Sequence, residues 1–244
     1  MTDLNHYHSP FGPEFLSHVS VLEGQCELQS LRLLQDSGMG VIVNGLGVCL
    51  SLMYQQACCA WGCHGKEHVF EYASGRTVNH AMGSYRLALR GLYDESLSLT
   101  RNIAEIANLV ALFCQEPNSV REWMDCSDDK RRKAFSPAKI RLRLTNGQNL
   151  LAVDEKQYRH LCKLAVHFGP NTHPGSHNES DGPVLGGIVQ ETGLRSSVTQ
   201  LAWMVATVAG PIAKTAIVAE ERAKELVEAS IALLRSVSEQ SEED

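Results

Sequence analysis

The segment between Glu95 and Glu116 most restricts how this chain can fold, because its twenty residues carry only two charges, Arg101 and Glu105. Around these charges, polar residues recur at alternating steps of four and three, which places them on one stripe of an α-helix. The stripe consists of Asp94, Ser98, Arg101, Glu105 and Asn108. Burying an arginine or a carboxylate alone is costly. The pattern therefore predicts either a structural ion pair between Arg101 and Glu105 or one wall of a site for an anion such as phosphate.

Helical periodicity dominates the rest of the chain as well. Aromatic residues are few, at 6 % of the sequence, which favours helices over a β-sandwich. We expect an all-α multi-helix bundle with a long central helix over 78–113 and a long C-terminal helix over 195–238, kinked near Gly210-Pro211. One long loop rich in glycine, proline and histidine is expected over 169–193, and 184–189 is compatible with one short strand.

The expected domain organisation is simple. Residues 1–13 form an irregular lead-in, 14–238 a single helical domain and 239–244 an acidic tail. The C-terminal helix carries apolar and small residues at the a and d positions of a heptad, which suits packing on a second chain. These residues are Ala223, Leu226, Ser230, Leu233 and Val237. We therefore expect a homodimer formed through long helices, and a different protein partner is the alternative.

Composition and charge favour a cytoplasmic protein. The net charge of −6 is mild, and the N-terminal residues contain no basic segment followed by an apolar one. Most of the eight cysteines lie in apolar helical patterns, where a reduced thiol acts as a small hydrophobic group. Residues 37–65 contain no charged side chain, but Asn44, Gln55, Gln56 and several glycines favour a buried core helix over a membrane span. We expect no association with a membrane.

A group of histidines is a candidate catalytic or metal site. His160 and His167 are seven residues apart and so fall on one face of a helix, while His173, His177 and Asp181 follow in the predicted loop. Imidazole and carboxylate side chains are suitable ligands for a transition metal, although their spacing here matches no strong zinc signature. The alternative is an acid/base or phosphate-contacting role for His167 or His173.

A second group combines thiols and imidazoles in the pattern Cys59-x3-Cys63-His64-x3-His68. It resembles a metal-ligand cluster by content but lacks the paired CxxC geometry of zinc knuckles. The simpler interpretation is a set of partly buried residues at a helix end. From the sequence we therefore assign no metal ligands and no cofactor.

A dense basic run occupies residues 130–143, with seven basic residues in fourteen and no acid among them. The run consists of Lys130, Arg131, Arg132, Lys133, Lys139, Arg141 and Arg143. Such a run is usually a solvated helix face, and the alternative is a surface that binds the phosphates of RNA or DNA. Walker A, GxGxxG, GxSxG and HExxH patterns are absent from the sequence.

The run LRGLYDESLSLTRNIAE at 89–105, with Ala165-Val166-His167 and Thr172-His173-Pro174, resembles bacterial helical proteins related to HEPN-type domains. The resemblance covers about the middle half of the chain. It implies an all-α fold and a ribonuclease activity of the toxin or antiphage defence type. The family's signature is an arginine, often followed by a polar residue, and then a histidine after four to six intervening residues.

Two arginines begin such a signature here. Arg101-Asn102 is the first, but Asn108 stands at its last histidine position; Arg159-His160 is the second, and His167 lies one residue beyond its range. The site that the resemblance implies consists of Arg101, Asn102, Arg159, His167 and His173. In such a site an imidazole would act as acid/base near the scissile phosphate and an arginine would stabilise its charge.

Two hypotheses of different classes follow. The first is a HEPN-like protein of bacterial defence or toxin type that binds or cleaves nucleic acid, RNA in particular. The second is a non-catalytic helical interaction or scaffold module in which Arg101 and Glu105 form a structural ion pair. The first hypothesis requires the Arg101 stripe and the histidine loop to lie close together in space, and the second does not.

Overall fold

The computed structural model describes residues 14–63, 65, 68–147, 151–165 and 188–243, and these form ten helices and no strand. The prediction of an all-α multi-helix bundle is confirmed. In chain order the helices are α1 (Phe15–Asp36), α2 (Gly40–Ala57), α3 (Val69–Leu89), α4 (Tyr93–Gln115), α5 (Asn118–Asp125), α6 (Asp128–Ala134), α7 (Pro137–Asn146), α8 (Glu155–Ala165), α9 (Glu191–Ala213) and α10 (Glu220–Glu243).

Five long helices form the central bundle: α2, α3, α4, α9 and α10. The helix α9 packs against the other four, whereas α4 packs against α3 and α9 and is covered on its remaining side by α7 and α8. Small buried residues on α4, such as Ala104 and Ala107, allow these neighbours to approach closely. A second apolar cluster, built around Leu112, Phe113 and Leu144, attaches the short helices to the end of α4.

The prediction of one central helix over 78–113 is wrong, because the structure has two helices there, α3 and α4. The chain reverses between α3 and α4 at Gly91, whose φ of +76° is accessible to glycine but strained for other residues. A Cβ at this position would lie 2.5 Å from the carbonyl oxygen of Ile188. The chain needs glycine here both for the turn and for the close approach of the segment before α9.

The predicted C-terminal helix over 195–238 is also divided. The helix α9 ends at Ala213, two residues after Pro211, whose ring nitrogen cannot donate a helical hydrogen bond. A turn then leads into α10, which continues to Glu243 and so includes most of the predicted acidic tail. Of the predicted strand at 184–189, only 188–189 lie in the described part of the chain, and they are not a strand.

The heptad residues of α10 face the interior of the protein. Leu226, Leu233 and Val237 are at most 1 % exposed, and α10 packs against α9 and α2. Leu233 also contacts Gly45, where a Cβ would lie 3.1 Å from a Leu233 methyl carbon. This seam therefore packs against helices of its own chain.

Among the described helices, α4 is long and apolar enough to cross a membrane, and α1 with α2, bent by 108°, passes the same test if taken together. Within the fold α4 packs against α3, α7, α8 and α9, with buried residues along most of its length. Its apolar composition therefore has an explanation inside the bundle.

Candidate functional site

The charged stripe of α4 faces α8 and forms a closed polar cluster with Tyr158. One guanidinium nitrogen of Arg101, Nη2, lies 2.7 Å from Oε1 of Glu105 and also donates to the Tyr158 hydroxyl. That hydroxyl in turn donates to the same Glu105 oxygen over 2.7 Å. The Arg101 side chain is 19 % exposed. The three groups thus bind one another at the edge of the core, while the buried Nε of Arg101 has no hydrogen-bond partner among the described residues.

Neighbouring groups stabilise both the cation of Arg101 and the protonated form of Tyr158. Burial disfavours the cation of Arg101, but the Cys162 side chain, Glu105 and Tyr158 outweigh this, so the pKa of Arg101 is raised. Burial and the Glu105 carboxylate raise the pKa of Tyr158, which keeps its proton available for Glu105. The guanidinium of Arg141 lies 4.5 Å from the centre of the Tyr158 ring on this side of the cluster.

Asn108, a further polar residue of the stripe, binds the backbone of the segment before α8. Asn108 is 3 % exposed; its amide donates to the Val153 carbonyl over 2.9 Å and its oxygen accepts the Val153 N–H over 3.0 Å. This pair of bonds fixes the segment that enters α8. Asn102 accepts a long hydrogen bond of 3.4 Å from Arg101. The stripe therefore contacts α8 and the residues before it.

Tyr158 was not identified from the sequence. It lies on the inward face of α8, together with Leu161 and Cys162. Its spacing could have indicated this position. Tyr158 stands three and four residues before Leu161 and Cys162, and residues at these steps share one face of a helix. Nothing in that spacing specifies which polar group its hydroxyl meets.

The second predicted arginine, Arg159, does not join Arg101. Its side chain is 70 % exposed and its Nη2 lies 2.6 Å from Oε1 of Glu155 on the same helix. It lines a cleft of about 870 Å³ between α8 and α9, whereas Arg101 is not part of the lining. The two arginines that begin the predicted signatures thus stand on different sides of α8.

Most residues that line the cleft between α8 and α9 have charged or polar side chains. Its lining includes the basic residues Lys156, Arg159 and Lys163, with His160 beside them, and α9 contributes Trp203. Two acids, Asp154 and Glu155, also line it. Asp154 accepts the backbone N–H of Gln157 and so caps α8. Such a surface combines positive charge with an aromatic face.

The predicted catalytic histidines His167 and His173, and also His177 and Asp181, lie outside the described residues. Their role therefore stays a prediction. Within the described part of the chain, Arg101, Asn102 and Arg159 have no histidine at hydrogen-bond distance.

Three of the seven residues in the basic run are paired with acids of its own neighbourhood. Arg131 contacts Asp128 at 2.5 Å and donates to the carbonyls of Trp123 and Cys126, which joins α5 to α6. Arg132 lies 2.5 Å from Asp129. The remaining positions differ: Arg143 binds Glu116 and Glu122 at 2.6 and 3.1 Å, Arg141 stacks on Tyr158, and Lys130, Lys133 and Lys139 are exposed. Nucleic-acid binding by this run stays a prediction.

Three residues of the thiol and imidazole group do come together, at the corner between α2 and α3. Sγ of Cys59 and Sγ of Cys63 lie 3.5 and 3.4 Å from Nδ1 of His68, and the buried carboxylate of Glu71 completes the group. Glu71 was not part of the sequence pattern. Partial burial, with the Cys63 thiol and the Glu71 carboxylate close by, raises the pKa of Cys59. We name these four residues the Cys59 corner.

The outer face of α1 is exposed and uncharged, and half of its residues are apolar. Its inner face, with Cys26, Ser30 and Leu34, packs on the bundle. On the opposite face Val21 and Leu28 are 61 % and 62 % exposed. Exposed residues at alternating steps of four and three form this face, which carries no charge: Ser17, Val21, Gly24, Leu28, Leu31 and Gln35. We name it the α1 stripe.

Comparison of the chain with family models, with curated protein sequences and with solved structures finds no match in any of the three. We therefore infer the function from the geometry of the chain itself.

Proposed function

We propose that the protein is a non-catalytic helical interaction module and that it pairs with a second copy of itself through the α1 stripe. The observation that carries the proposal is the spacing of exposed residues on α1. The steps of four and three are those of a coiled-coil seam, with Val21 and Leu28 at a positions and Gly24 and Leu31 at d positions. A solvated helix face would carry charges at such positions, and this one carries none.

The charges beside the α1 stripe suit a second copy in parallel orientation. Glu27 occupies a g position and Arg32 the following e position of the same heptad frame. In a parallel pair the g residue of one helix faces the next e residue of the other, so Glu27 meets Arg32 twice. An antiparallel pair would instead place like charges together. Arg90 binds Glu27 over 3.2 Å within the chain, which holds this carboxylate at the edge of the stripe.

The closed cluster around Arg101 supports a non-catalytic role. A guanidinium that stabilises a transition state must have donors directed at the reacting atoms. Here Arg101 donates to Glu105 and Tyr158, and Cys162 also contacts it. The cluster attaches α8 to α4. It serves as the structural ion pair of the second hypothesis.

Co-purification tests the self-pairing. Two copies of the full chain with different affinity tags are expressed together, and one tag is used for capture. We expect the second copy to be recovered with the first, and Val21→Asp or Leu28→Asp to abolish its recovery because a charge would be buried in the seam. The matched control is Val218→Asp, since Val218 is 75 % exposed and lies between α9 and α10. Recovery that is absent in the native pair, or equally reduced by the control, contradicts the proposal.

The cleft between α8 and α9 supports a second candidate function, the binding of RNA phosphates. Lys156, Arg159, His160 and Lys163 together with Trp203 offer cations and a stacking surface in one cleft. In this alternative, Lys156→Gln with Lys163→Gln weakens the binding of single-stranded RNA and flattens its salt dependence, measured by fluorescence anisotropy. Arg86→Gln with Lys224→Gln, at exposed positions on α3 and α10, is the control. Cleavage that disappears in His167→Ala or His173→Ala would extend this alternative to a ribonuclease.

A further inference from the structure

The Cys59 corner has the donor atoms of a tetrahedral metal site. Its four ligand atoms, two Sγ, one imidazole nitrogen and one carboxylate oxygen, all lie within 4.8 Å of one another. In a tetrahedral zinc site, bonds of about 2.3 Å to sulfur and about 2.0–2.1 Å to nitrogen place these two atoms roughly 3.5 Å apart. The distances from Nδ1 of His68 to the sulfur atoms of Cys59 and Cys63 are 3.5 and 3.4 Å. Both distances match an edge of the coordination tetrahedron.

The backbone of the corner is held in an unusual conformation at two of the four residues. Cys59 and His68 have φ of 60° and 45°, and in the described part of the chain they are the non-glycine residues with positive φ. This left-handed conformation is disfavoured for residues with a Cβ and persists where other interactions compensate for it. In both cases the residue directs a metal-binding atom into the same group. The strain therefore coincides with the convergence of donors.

The elements around the corner also suit a cation. Cys59 follows the C-terminal end of α2, where the aligned peptide dipoles of the helix leave partial negative charge. Glu71 lies in the first turn of α3 and is 2 % exposed. A carboxylate and two thiols in one place are difficult to ionise together, and a divalent cation reverses this by stabilising all three anions.

We propose that the Cys59 corner binds one divalent metal ion of the zinc class, through Cys59, Cys63, His68 and Glu71. Thiolate and imidazole ligands select zinc over magnesium or calcium, and four protein ligands leave no position for a substrate. The site is therefore structural. It joins the end of α2 to the start of α3 across thirteen residues of chain.

Trp61 links the Cys59 corner to a third part of the fold, the connection between α9 and α10. This residue lies between the two cysteines in sequence and is 1 % exposed. Its carbonyl accepts the backbone N–H groups of Ile217 and Val218, each over 3.1 Å, from the connection between α9 and α10. Metal bound at the corner would therefore fix the α2–α3 turn and this connection together. Loss of the metal is expected to lower the Tm and to expose the turn to proteolysis.

Metal content tests the site directly. The full chain is produced with zinc in the medium, purified under reducing conditions without chelator, and analysed by plasma mass spectrometry. We expect about one zinc ion per chain. Replacement by Co²⁺ should give the visible and sulfur charge-transfer bands of tetrahedral thiolate coordination.

Variants identify the ligands. Cys63→Ser and His68→Gln are each expected to weaken zinc binding by more than about 100-fold, because loss of even an outer partner of a ligand costs roughly 10–100-fold. Cys58→Ser is the matched control, since Cys58 is an exposed thiol next to Cys59 that is not part of the group. Circular dichroism establishes that each variant remains helical, and a Glu71→Gln variant with weakened zinc binding supports the fourth ligand.

Three results would overturn the proposal. The first is reduced, folded protein that binds no zinc and gives no thiolate bands with Co²⁺. The second is equal loss of zinc in Cys58→Ser and Cys63→Ser, which would indicate unspecific binding by surface thiols. The third is a Cys59–Cys63 disulfide in protein isolated under native reducing conditions, which would make the pair a redox couple instead.

Discussion

Two helices of this protein carry the same kind of heptad spacing and have opposite surroundings. On α10, the residues Leu226, Leu233 and Val237 are almost completely buried against α9 and α2. On α1, the stripe residues Val21 and Leu28 are exposed, and the inner face of the same helix already packs on the bundle. Heptad spacing therefore predicts a packing face on a helix. It does not by itself show which element, of the same chain or of another, packs there.

Truncation of one leucine in each seam gives the largest difference between them. Leu233→Ala removes a fully buried side chain and is expected to lower the free energy of unfolding by about 2–5 kcal/mol. Leu28→Ala should change the stability of the monomer by no more than about 0.5 kcal/mol, because Leu28 is 62 % exposed. Urea denaturation at low protein concentration measures both. Equal losses in the two variants would mean that α1 is packed more completely than this account holds.

The Arg101 cluster provides a second internal interaction of similar size. Arg101→Ala leaves Glu105 without its cation, and we expect a loss of about 2–3 kcal/mol. This is less than the roughly 3–5 kcal/mol of a fully buried pair, because Glu105 is 32 % exposed. The double change Arg101→Met with Glu105→Leu should recover much of this loss. An unchanged Tm in Arg101→Ala would contradict the structural role and favour a site at this position.

A charge reversal beside the α1 stripe should have a smaller effect, and on association alone. Arg32→Glu places two carboxylates opposite each other in a parallel pair, and we expect it to weaken pairing roughly fivefold at low salt, since an exposed ion pair contributes about 0.2–1 kcal/mol. The effect should decrease as salt is added. Sedimentation velocity over a concentration series measures it. Stronger pairing of Arg32→Glu would indicate that the helices do not pair in parallel.

The smallest effect concerns pH. Burial and Glu105 raise the pKa of Tyr158 above its ordinary value of 10.0, so the folded protein holds this proton more tightly than the unfolded chain. The resulting stabilisation is complete below pH 10 and is lost as the pH rises further. Tyr158→Phe should therefore show a shallower loss of stability above pH 10 than the native protein. Identical slopes would mean that the Tyr158 hydroxyl is solvated.

Some of the fold could be predicted because local patterns determine it. The apolar stretch 96–115 has a strict helical period and became the core helix α4. The division of the predicted helix at Gly91 could not be read in the same way, because glycine is tolerated inside helices. Its positive φ depends on the close approach of Ile188, a contact between residues far apart in sequence.

The candidate sites could likewise be predicted only in part from the sequence. The spacing of Arg101 and Glu105 indicated a pair, but their link to Tyr158 depends on how α8 packs on α4. In the Cys59 corner the sequence showed the thiols and imidazoles but not Glu71, since a carboxylate in the first turn of a helix is common. The α1 stripe was not predicted from the sequence, because the inner face of the same helix carries the more obvious apolar pattern.

Sedimentation equilibrium of the full chain tests the central claim, self-pairing through the α1 stripe, most directly. The native protein should show a mass that rises with concentration from that of one chain, 26.8 kDa, to that of two. Leu28→Asp should remain at the mass of one chain over the same range, with unchanged helical content. Native protein that stays at the mass of one chain at every concentration, or a Leu28→Asp variant that pairs as well as the native protein, would contradict the account.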